Sequence, residues 1–395
     1  MKKTTGGNML FQPFQGLFFY EGNLFPLLRP ECNQTWSHHP SLTQQDADYA
    51  RVWAQGKSLS DVCPETFFQE FELLGKKMKS FIKSYQVAGI DVSSCDVRKI
   101  IPEKLLFKYL NYKNKICDHV FQNFEKPVNY EFMKDVHEFC SSIAAKPLKL
   151  NFEAYRNSPS HFKQIERLKK TSKHIKFDAY KTITGRLSTE PLSFPILNLK
   201  KELRGLIEPH NDILVELDFN AAELRVLLAL SDHDQPDRDI HTWNAEHVFK
   251  DPSLTRDEIK RKTFSWLYNE KAVDKSLEIC YNKKHVKNKY FNGSKVRTIF
   301  ERTIETDEDH SLNYIIQSTT SDLFLKQAIK IYKFLLNKSS NIYFSIHDSL
   351  ILDFSLEDKY ILEDLISMFS NTELGKFKVN VSAGKNFGEM KELNL

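Results

Sequence analysis

The spacing of apolar positions changes near residue 218, where a strand pattern gives way to a helix pattern. The run Leu214–Asp218 is short and mostly apolar, as in one buried strand, and it ends on a carboxylate. Apolar residues then recur at helical spacing from Ala222 to Leu230. The pattern predicts a strand and then a helix, with Asp218 at the carboxyl end of the strand.

A second helical window carries side chains of two kinds at steps of four residues. Arg256 and Lys260 come first, and Phe264 and Tyr268 follow. Steps of four place these side chains in a slowly winding stripe about 18 Å long. The order suits a helix that binds a triphosphate at its basic end and a base at its aromatic end.

The carboxyl-terminal part predicts a hairpin between helices. Two β-rich runs, 343–346 and 349–352, flank His347 and Asp348, so a second carboxylate is expected at the bend. A long helical pattern that begins near Asn313 precedes the hairpin. A closing helix over 356–369 and a last strand over 376–381 are predicted after it.

The amino-terminal part carries no recognisable chemistry. Residues 1–30 read as aromatic-rich extended segments, and residues 31–60 as polar and irregular. Residues 64–143 predict an α-rich lobe, with Phe67, Phe68, Phe71 and Leu74 among its expected core residues. Residues 151–176 read as a basic connection, with an amphipathic helix around 162–168.

Composition is ordinary for a globular protein, and charge is informative only in its distribution. The 395 residues are 41% hydrophobic and 27% charged, with a net charge of +4, enough length for two or three lobes. Lys and Arg cluster in 163–176, 181–204 and 256–302, which fits either solvated faces or a phosphate-binding wall. The six cysteines include no CxxC pair, which favours free thiols in a reducing compartment. No apolar run is long enough for a signal peptide or a membrane span, so we expect a cytoplasmic protein.

Taken together, these segments resemble the palm and fingers of family A DNA polymerases, the family of the bacterial repair polymerase and several phage replicases. The residues that match family motifs are Thr184-Gly185-Arg186-Leu187-Ser188 (TGRLSS), Asp218 to Arg225 (DYSxxELR), the Arg256, Lys260, Phe264 and Tyr268 helix, Asn313 with Gln317, and His347-Asp348. Gly384 and Phe387 stand where the family usually ends in G-x-x-W. The resemblance covers about residues 177–390.

The resemblance implies an α+β fold with right-hand polymerase architecture: an antiparallel β palm, helical fingers and an α-rich thumb. The implied domains are an extended or irregular segment (1–60), a thumb-like lobe and connection (61–176), the first part of the palm (177–250), shortened fingers (251–310) and the second part of the palm (311–395). The fingers are expected to be short because Asn313 lies only 49 positions after Phe264.

The implied activity is DNA-templated DNA synthesis, in which a primer 3′-hydroxyl is extended with deoxynucleoside triphosphates by a two-metal mechanism. Two Mg²⁺ ions, for which Mn²⁺ can substitute, would be held by Asp218, Asp348 and the Phe219 carbonyl. The side chains implied to bind the nucleotide are Arg256, Lys260, His241, Phe264, Tyr268 and Glu223; Lys260 is also implied in catalysis. The side chains implied to contact primer and template are Arg186, Asn198, Arg204, Asn313, Gln317 and His347. Glu223 is expected to cover the 2′ position and to accept a hydrogen bond from Tyr268.

The sequence departs from the family pattern in several places. Ser349 stands where the family has a glutamate after the hairpin aspartate, so we expect one carboxylate fewer at the site. Ser265 and Asn269 replace glycines around the fingers tyrosine. The D-x-E of the family's proofreading exonuclease is absent from residues 1–200, so we expect no 3′→5′ exonuclease here. A separate exonuclease or processivity factor is then an expected partner, in a bacterial or phage-infected cytoplasm and without a membrane.

Two other classes of protein remain open on the sequence. A single-subunit RNA polymerase shares the palm, the fingers lysine and tyrosine, and the hairpin, but has a small residue where this chain has Glu223. A non-catalytic DNA-binding or priming accessory would keep the fold with a decayed site. Ser349 favours decay, whereas both aspartates and the basic stripe oppose it.

Overall fold

The chain folds into two compact units, Met1–Ala145 and Lys146–Leu395. The computed structural model describes residues 18–20, 22–25, 33–39, 42, 45–88, 100–155, 159–191, 193–251, 253–269 and 272–393. The division falls inside the stretch 61–176 that the sequence assigns to the lobe and its connection. The predicted α+β class with antiparallel sheet is confirmed, while the finer division into palm and fingers stays a prediction.

The first unit is mainly helical, as predicted. Its described helices are α1 (Ala50–Trp53), α2 (Glu65–Val87), α3 (Glu103–Asn123) and α4 (Tyr130–Ala144), and its short strands are β1 (Phe18–Tyr20), β2 (Asn23–Phe25), β3 (Gln34–Thr35) and β4 (Asp48–Tyr49). α2 packs on α3, where Phe71 stacks on Tyr109 at 5.4 Å. Met78 and Ile116 are buried in the same core, whereas Phe68 is 38% exposed, so its core assignment is wrong.

The second unit is built on one five-stranded antiparallel sheet. The strands of the second unit described by the structure are β5 (Lys149–Leu150), β6 (Phe177–Asp178), β7 (Ser188–Thr189), β8 (Ile207–Glu208), β9 (Ile213–Phe219), β10 (Lys295–Arg297), β11 (Thr303–Glu305), β12 (Asn341–Ile346), β13 (Ser349–Phe354), β14 (Asn371–Thr372), β15 (Gly375–Lys376), β16 (Val379–Gly384) and β17 (Lys391–Glu392). The sheet order is β12-β13-β9-β16-β17. The strand that carries Asp218 is therefore at the centre, as the buried apolar pattern requires.

Helices cover one face of this sheet. The α-helices described in the second unit are α5 (Phe162–Lys169), α6 (Ala222–Leu230), α7 (Ile240–Asn244), α8 (Arg256–Tyr268), α9 (Lys275–Tyr281), α10 (Lys283–Tyr290), α11 (Glu308–Leu335) and α12 (Leu362–Ser370). Phe219 of β9 stacks on Phe369 of α12 at 4.3 Å, and Phe324 of α11 meets the same ring edge-on at 6.2 Å. The face of β9 that carries Phe219 is thus buried under α11 and α12. Glu216 and Asp218 lie on the other face, together with the buried Leu214.

Most predicted element boundaries in the second unit are confirmed. β9, α6, α8 and the hairpin lie where the apolar periodicity places them. The last strand is a correction, because β16 begins at Val379, after a separate short pair of β14 and β15. Within the described ranges, no helix is both long and apolar enough to cross a bilayer.

Candidate active site

The polar face of β9 brings residues of three strands together. Asp218 is paired in register with Ser349 of β13 on one side and with Asn380 of β16 on the other. The Asn380 amide donates to Asp218 Oδ2 at 3.4 Å. Glu216 precedes Asp218 by two residues and therefore faces the same side of the sheet.

The hairpin places Asp348 beside this row. Ile346 pairs with Ser349, so His347 and Asp348 alone form the bend. His347 has a φ of 51°, a left-handed conformation that costs a non-glycine residue about 1–2 kcal/mol. The prediction of a carboxylate at a hairpin bend is confirmed, and the strained His347 is exposed next to it.

Sequence reasoning missed Glu216. Its carboxylate accepts a hydrogen bond of 2.6 Å from the Ser349 hydroxyl. Glu216 is a charged residue inside an otherwise apolar strand, and it stands two residues before Asp218, so both side chains are expected on the same face. The sequence therefore did contain a signal for Glu216. Ser349 itself is the position at which the family pattern loses its glutamate.

The carboxyl groups of the site hold their protons more tightly than isolated ones. Burial, and after it the charges of Glu216 and Asp348, raise the pKa of Asp218 to about 7, although the Asn380 hydrogen bond and Lys260 act to lower it. Burial also raises the pKa of Asp348, although Arg186 and His347 lower it. Carboxylates held together in this way favour a cation among them.

The donor set fits Mg²⁺. Among the described residues, no group of three or more His, Cys, Asp or Glu is arranged as a complete metal cage. Mg²⁺ does not require one, since it binds through one or two carboxylates and completes its octahedron with water and substrate phosphates. Asp218 and Asp348, whose charges interact, are two carboxylates of the kind that such a partial set needs.

Helix α8 presents the predicted stripe. The side chains of Arg256, Lys260 and Tyr268 are exposed, while Ile259 and Trp266 are buried on the opposite side. Thr255 and Glu258 form a capping box at the start of the helix, which fixes where the stripe begins. Lys260 lies close enough to Asp218 to lower the pKa of that carboxyl.

The basic end of the stripe is anchored by Asp239. Arg256 donates to the two Asp239 oxygens at 3.3 and 2.9 Å, and Asp239 also caps α7 through the backbone N–H groups of His241 and Thr242. Burial raises the pKa of Asp239, but the hydrogen bonds from Arg256, Asn220 and the backbone outweigh it and hold the pKa well below its usual range.

His241 is 2% exposed and packs against the aromatic end of the stripe. The rings of His241 and Phe264 are 5.9 Å apart, and Phe264 stacks on Tyr268 at 6.0 Å and 10°. Burial lowers the pKa of His241 to about 4, and Asp239 offsets this in part, so the imidazole is neutral at pH 7. Its buried Nδ1 atom has no hydrogen-bond partner.

Glu223 is held by a different partner from the one predicted. The carboxylate, 7% exposed, accepts a hydrogen bond from the Arg186 guanidinium, whereas the 51% exposed Tyr268 contacts Phe264. The predicted Tyr268 hydrogen bond is therefore wrong in this conformation. A buried carboxylate is stabilised more by a guanidinium than by a phenol hydroxyl, and burial still leaves the pKa of Glu223 raised.

A glycine allows Arg186 to reach this place. Gly185 has a φ of 75°, and a Cβ there would lie 2.4 Å from the guanidinium of Arg302. Arg302 in turn makes a two-pronged ion pair with the buried Asp322 of α11 at 2.9 and 2.6 Å. Gly185 therefore lies directly against Arg302, which is anchored to α11 by an ion pair that sequence reasoning did not identify.

The other residues assigned to DNA contact lie around this centre in different settings. Asn198 is exposed, and Arg204 packs on the Phe387 ring at 4.8 Å. Asn313 and Gln317 lie one turn apart on α11 and are half-buried, and Asn313 Oδ1 has no hydrogen-bond partner.

Arg225, which matched the first family motif, has a structural position. It is fully buried and donates to the backbone carbonyls of Asn220, Pro236 and Arg238. Its guanidinium therefore holds the loop that leads to Asp239 and His241.

Comparisons with known proteins agree with this picture. No family model matches the chain. The thermostable DNA polymerase I of Thermus aquaticus is 26% identical over 230 residues, which is 46% of this chain and 28% of that protein. DNA polymerase I of Caldicellulosiruptor bescii is 23% identical over 246 residues, 49% of this chain and 29% of that protein. The match thus spans less than a third of the length of either curated relative.

A solved structure extends the likeness to the fold. The POL domain of Pol1 from M. smegmatis, in complex with DNA primer-template and dNTP, superposes with a TM-score of 0.55 at 12% identity. The match covers 73% of this chain and 76% of that chain. The chain has the fold of a polymerase domain, and its sequence relatives are DNA polymerase I proteins of family A. The predicted resemblance to the family A DNA polymerases is therefore confirmed.

Proposed function

We propose that this chain is a DNA-templated DNA polymerase that extends a primer 3′-hydroxyl with deoxynucleoside triphosphates. The observation that carries the proposal is the register of the central sheet. It sets Asp218 against Ser349, and so brings the hairpin carboxylate of Asp348 next to Asp218, which also interacts electrostatically with Lys260 of α8.

Asp218, Asp348 and the Phe219 carbonyl are proposed to hold two Mg²⁺ ions, for which Mn²⁺ can substitute. When bound, two such ions acidify the primer hydroxyl and stabilise the charge of the leaving pyrophosphate. Asp218 has to be ionised for this role, and its raised pKa of about 7 means that a cation and a proton compete for the same carboxylate.

The stripe on α8 is proposed to receive the nucleotide. Lys260 is exposed and unoccupied by an ion pair in the described residues, so it can bind the triphosphate directly and stabilise the charge that develops on it. Arg256 has five N–H donors and uses two on Asp239, which leaves donors for phosphate. His241 is proposed to donate to the same phosphates as a neutral imidazole, and Phe264 and Tyr268 offer their faces to the base.

Primer and template are proposed to lie along Arg186, Asn198, Arg204, Asn313, Gln317 and His347. A small cavity between the Arg186 segment, α11 and the hairpin is lined by Leu187, Phe324, Ser345, His347 and Asp348. A primer end laid over the mouth of this cavity would have its terminal hydroxyl near Asp348. We further propose that the described chain adds nucleotides without removing them, because it lacks the D-x-E pattern.

RNA synthesis is the second candidate, and Glu223 is the observation that opposes it. Its buried carboxylate fills the space at the start of α6, where a small residue would leave room for a 2′-hydroxyl.

The test is primer extension on a defined template with Mg²⁺. Template-directed incorporation of deoxynucleotides, with ribonucleotides rejected, is expected. Efficient extension with ribonucleotides alone would favour the RNA polymerase, and no extension with either set would favour a non-catalytic accessory.

A further inference from the structure

Glu216 stands in an unusual position for a carboxylate. It lies in the middle of the central strand, flanked in register by Ile351 on one side and Ser382 on the other. Its side chain is half-buried, so water solvates the charge only in part. A half-buried carboxylate costs stability unless something nearby compensates it.

The compensation available within the protein is small. The Ser349 hydroxyl donates to Glu216 Oε1 at 2.6 Å. Within the described part of the chain, no Lys, Arg or His is within ion-pair distance of Glu216. One neutral hydrogen bond is worth about 0.5–1.5 kcal/mol and leaves the negative charge in place.

The uncompensated charge of Glu216 lies near Asp218, which is one of the proposed metal ligands. Glu216 and Asp218 point to the same side of β9, and their carboxylates interact electrostatically. Ser349, to which Glu216 is hydrogen-bonded, is itself the register partner of Asp218. The Glu216 carboxylate is therefore one hydrogen bond away from the hairpin position at which the family pattern has its own glutamate.

From this placement we infer that Glu216 is a positioning residue of the cation site, and that it supplies from strand β9 the negative charge that the hairpin lacks at Ser349. This inference rests on the proposed function. Glu216 need not contact the ion, since residues behind the direct ligands set the affinity through their charge and hydrogen bonds. The Ser349 hydroxyl fixes the carboxylate so that its charge stays next to Asp218.

The competing explanation is that Glu216 and Ser349 only fasten β9 to β13. Glu216→Gln separates the two, because glutamine keeps the oxygen that accepts from Ser349 and removes the charge. Glu208→Gln is a matched control, since Glu208 also accepts a 2.6 Å hydrogen bond, from Asn151, on the separate β5–β8 pair.

The readout is binding of Mn²⁺ to the protein alone, measured from the loss of the free-ion electron paramagnetic resonance signal. Glu216→Gln is expected to weaken Mn²⁺ binding by roughly 10-fold or more, and Glu208→Gln to leave it unchanged. Far-ultraviolet circular dichroism checks that each variant is folded.

The rescue variant tests whether the charge can be exchanged between the two positions. Glu216→Gln combined with Ser349→Glu is expected to recover most of the Mn²⁺ affinity, because the carboxylate returns to the same place from the other strand. Wild-type affinity in Glu216→Gln, or no recovery in the double variant, would overturn the inference.

Failure of this inference is distinguishable from failure of the proposed function. If the wild type extends primers and Asp218→Asn loses Mn²⁺ while Glu216→Gln does not, only the role of Glu216 is wrong. If the wild type neither extends primers nor binds Mn²⁺, both proposals fall.

Discussion

Asp218→Asn is expected to stabilise the central sheet at alkaline pH in the absence of divalent cations. Asparagine is isosteric and keeps an oxygen that can accept from Asn380, but it carries no charge. The pKa of Asp218 is raised from 3.8 to about 7, chiefly by burial and then by Glu216. The folded state therefore binds this proton more tightly than the unfolded state, so stability falls as pH rises from about 4 to about 7.

The magnitude follows from the two pKa values. Between about pH 5 and about pH 7, the ionisation of Asp218 removes roughly 2–3 kcal/mol of stability from the wild type. Asp218→Asn lacks this loss, so its advantage over the wild type should grow by that amount across the same interval. Millimolar Mg²⁺ should stabilise the wild type and not the variant, because it binds the ionised carboxylate.

Hydrogen–deuterium exchange of the β9 and β13 amides is the suitable assay, because it reports the local free energy of opening for this sheet alone. Wild type and variant are compared at the same pH, so that intrinsic exchange rates cancel. Asp257→Asn on the exposed side of α8 is the control. A variant advantage that does not change with pH, or one that Mg²⁺ fails to reverse, would refute the assignment of Asp218 as a metal ligand with a raised pKa.

Four further outcomes are expected. Glu223→Ala should keep deoxynucleotide extension and admit ribonucleotides roughly 10- to 150-fold more readily, and equal sugar selectivity in the wild type and Glu223→Ala would refute the role of Glu223 in sugar selection. Arg186→Ala, which removes the hydrogen-bond partner of Glu223, should instead lower the use of primer. Gly185→Ala should lower the free energy of unfolding by about 1–3 kcal/mol, because of its φ of 75° and the Arg302 guanidinium 2.4 Å from the new Cβ; chemical denaturation measures it. An end-labelled mismatched primer should stay intact with the protein and Mg²⁺ alone, and shortening that survives repurification would contradict this.

The sequence predicted the elements that have strong local patterns. β9 and α6 were predicted because the apolar spacing changes period there, and α8 because four side chains recur at one helical step. The hairpin was predicted because two short β-rich runs flank a polar pair. These patterns are local, so the order of residues alone defines them.

The pairs that complete the site could not be predicted in the same way. Glu216 and Ser349 are 133 positions apart, and only the register of β9 against β13 brings them together. Arg186 reaches Glu223, and Arg256 reaches Asp239, through turns whose geometry depends on tertiary packing. The error about Tyr268 has this origin too, since tertiary packing brings Arg186 rather than Tyr268 to Glu223.

Asp218 and Asp348 are proposed to perform metal-dependent nucleotidyl transfer while other residues bind DNA. The most direct test of this division measures single-turnover primer extension and primer-template affinity side by side, for the wild type, Asp218→Ala and Asp348→Ala. Both variants should lose extension and keep DNA affinity close to that of the wild type, because affinity for duplex comes mainly from Lys and Arg contacts to phosphate. Extension at a near wild-type rate by either variant would contradict the account.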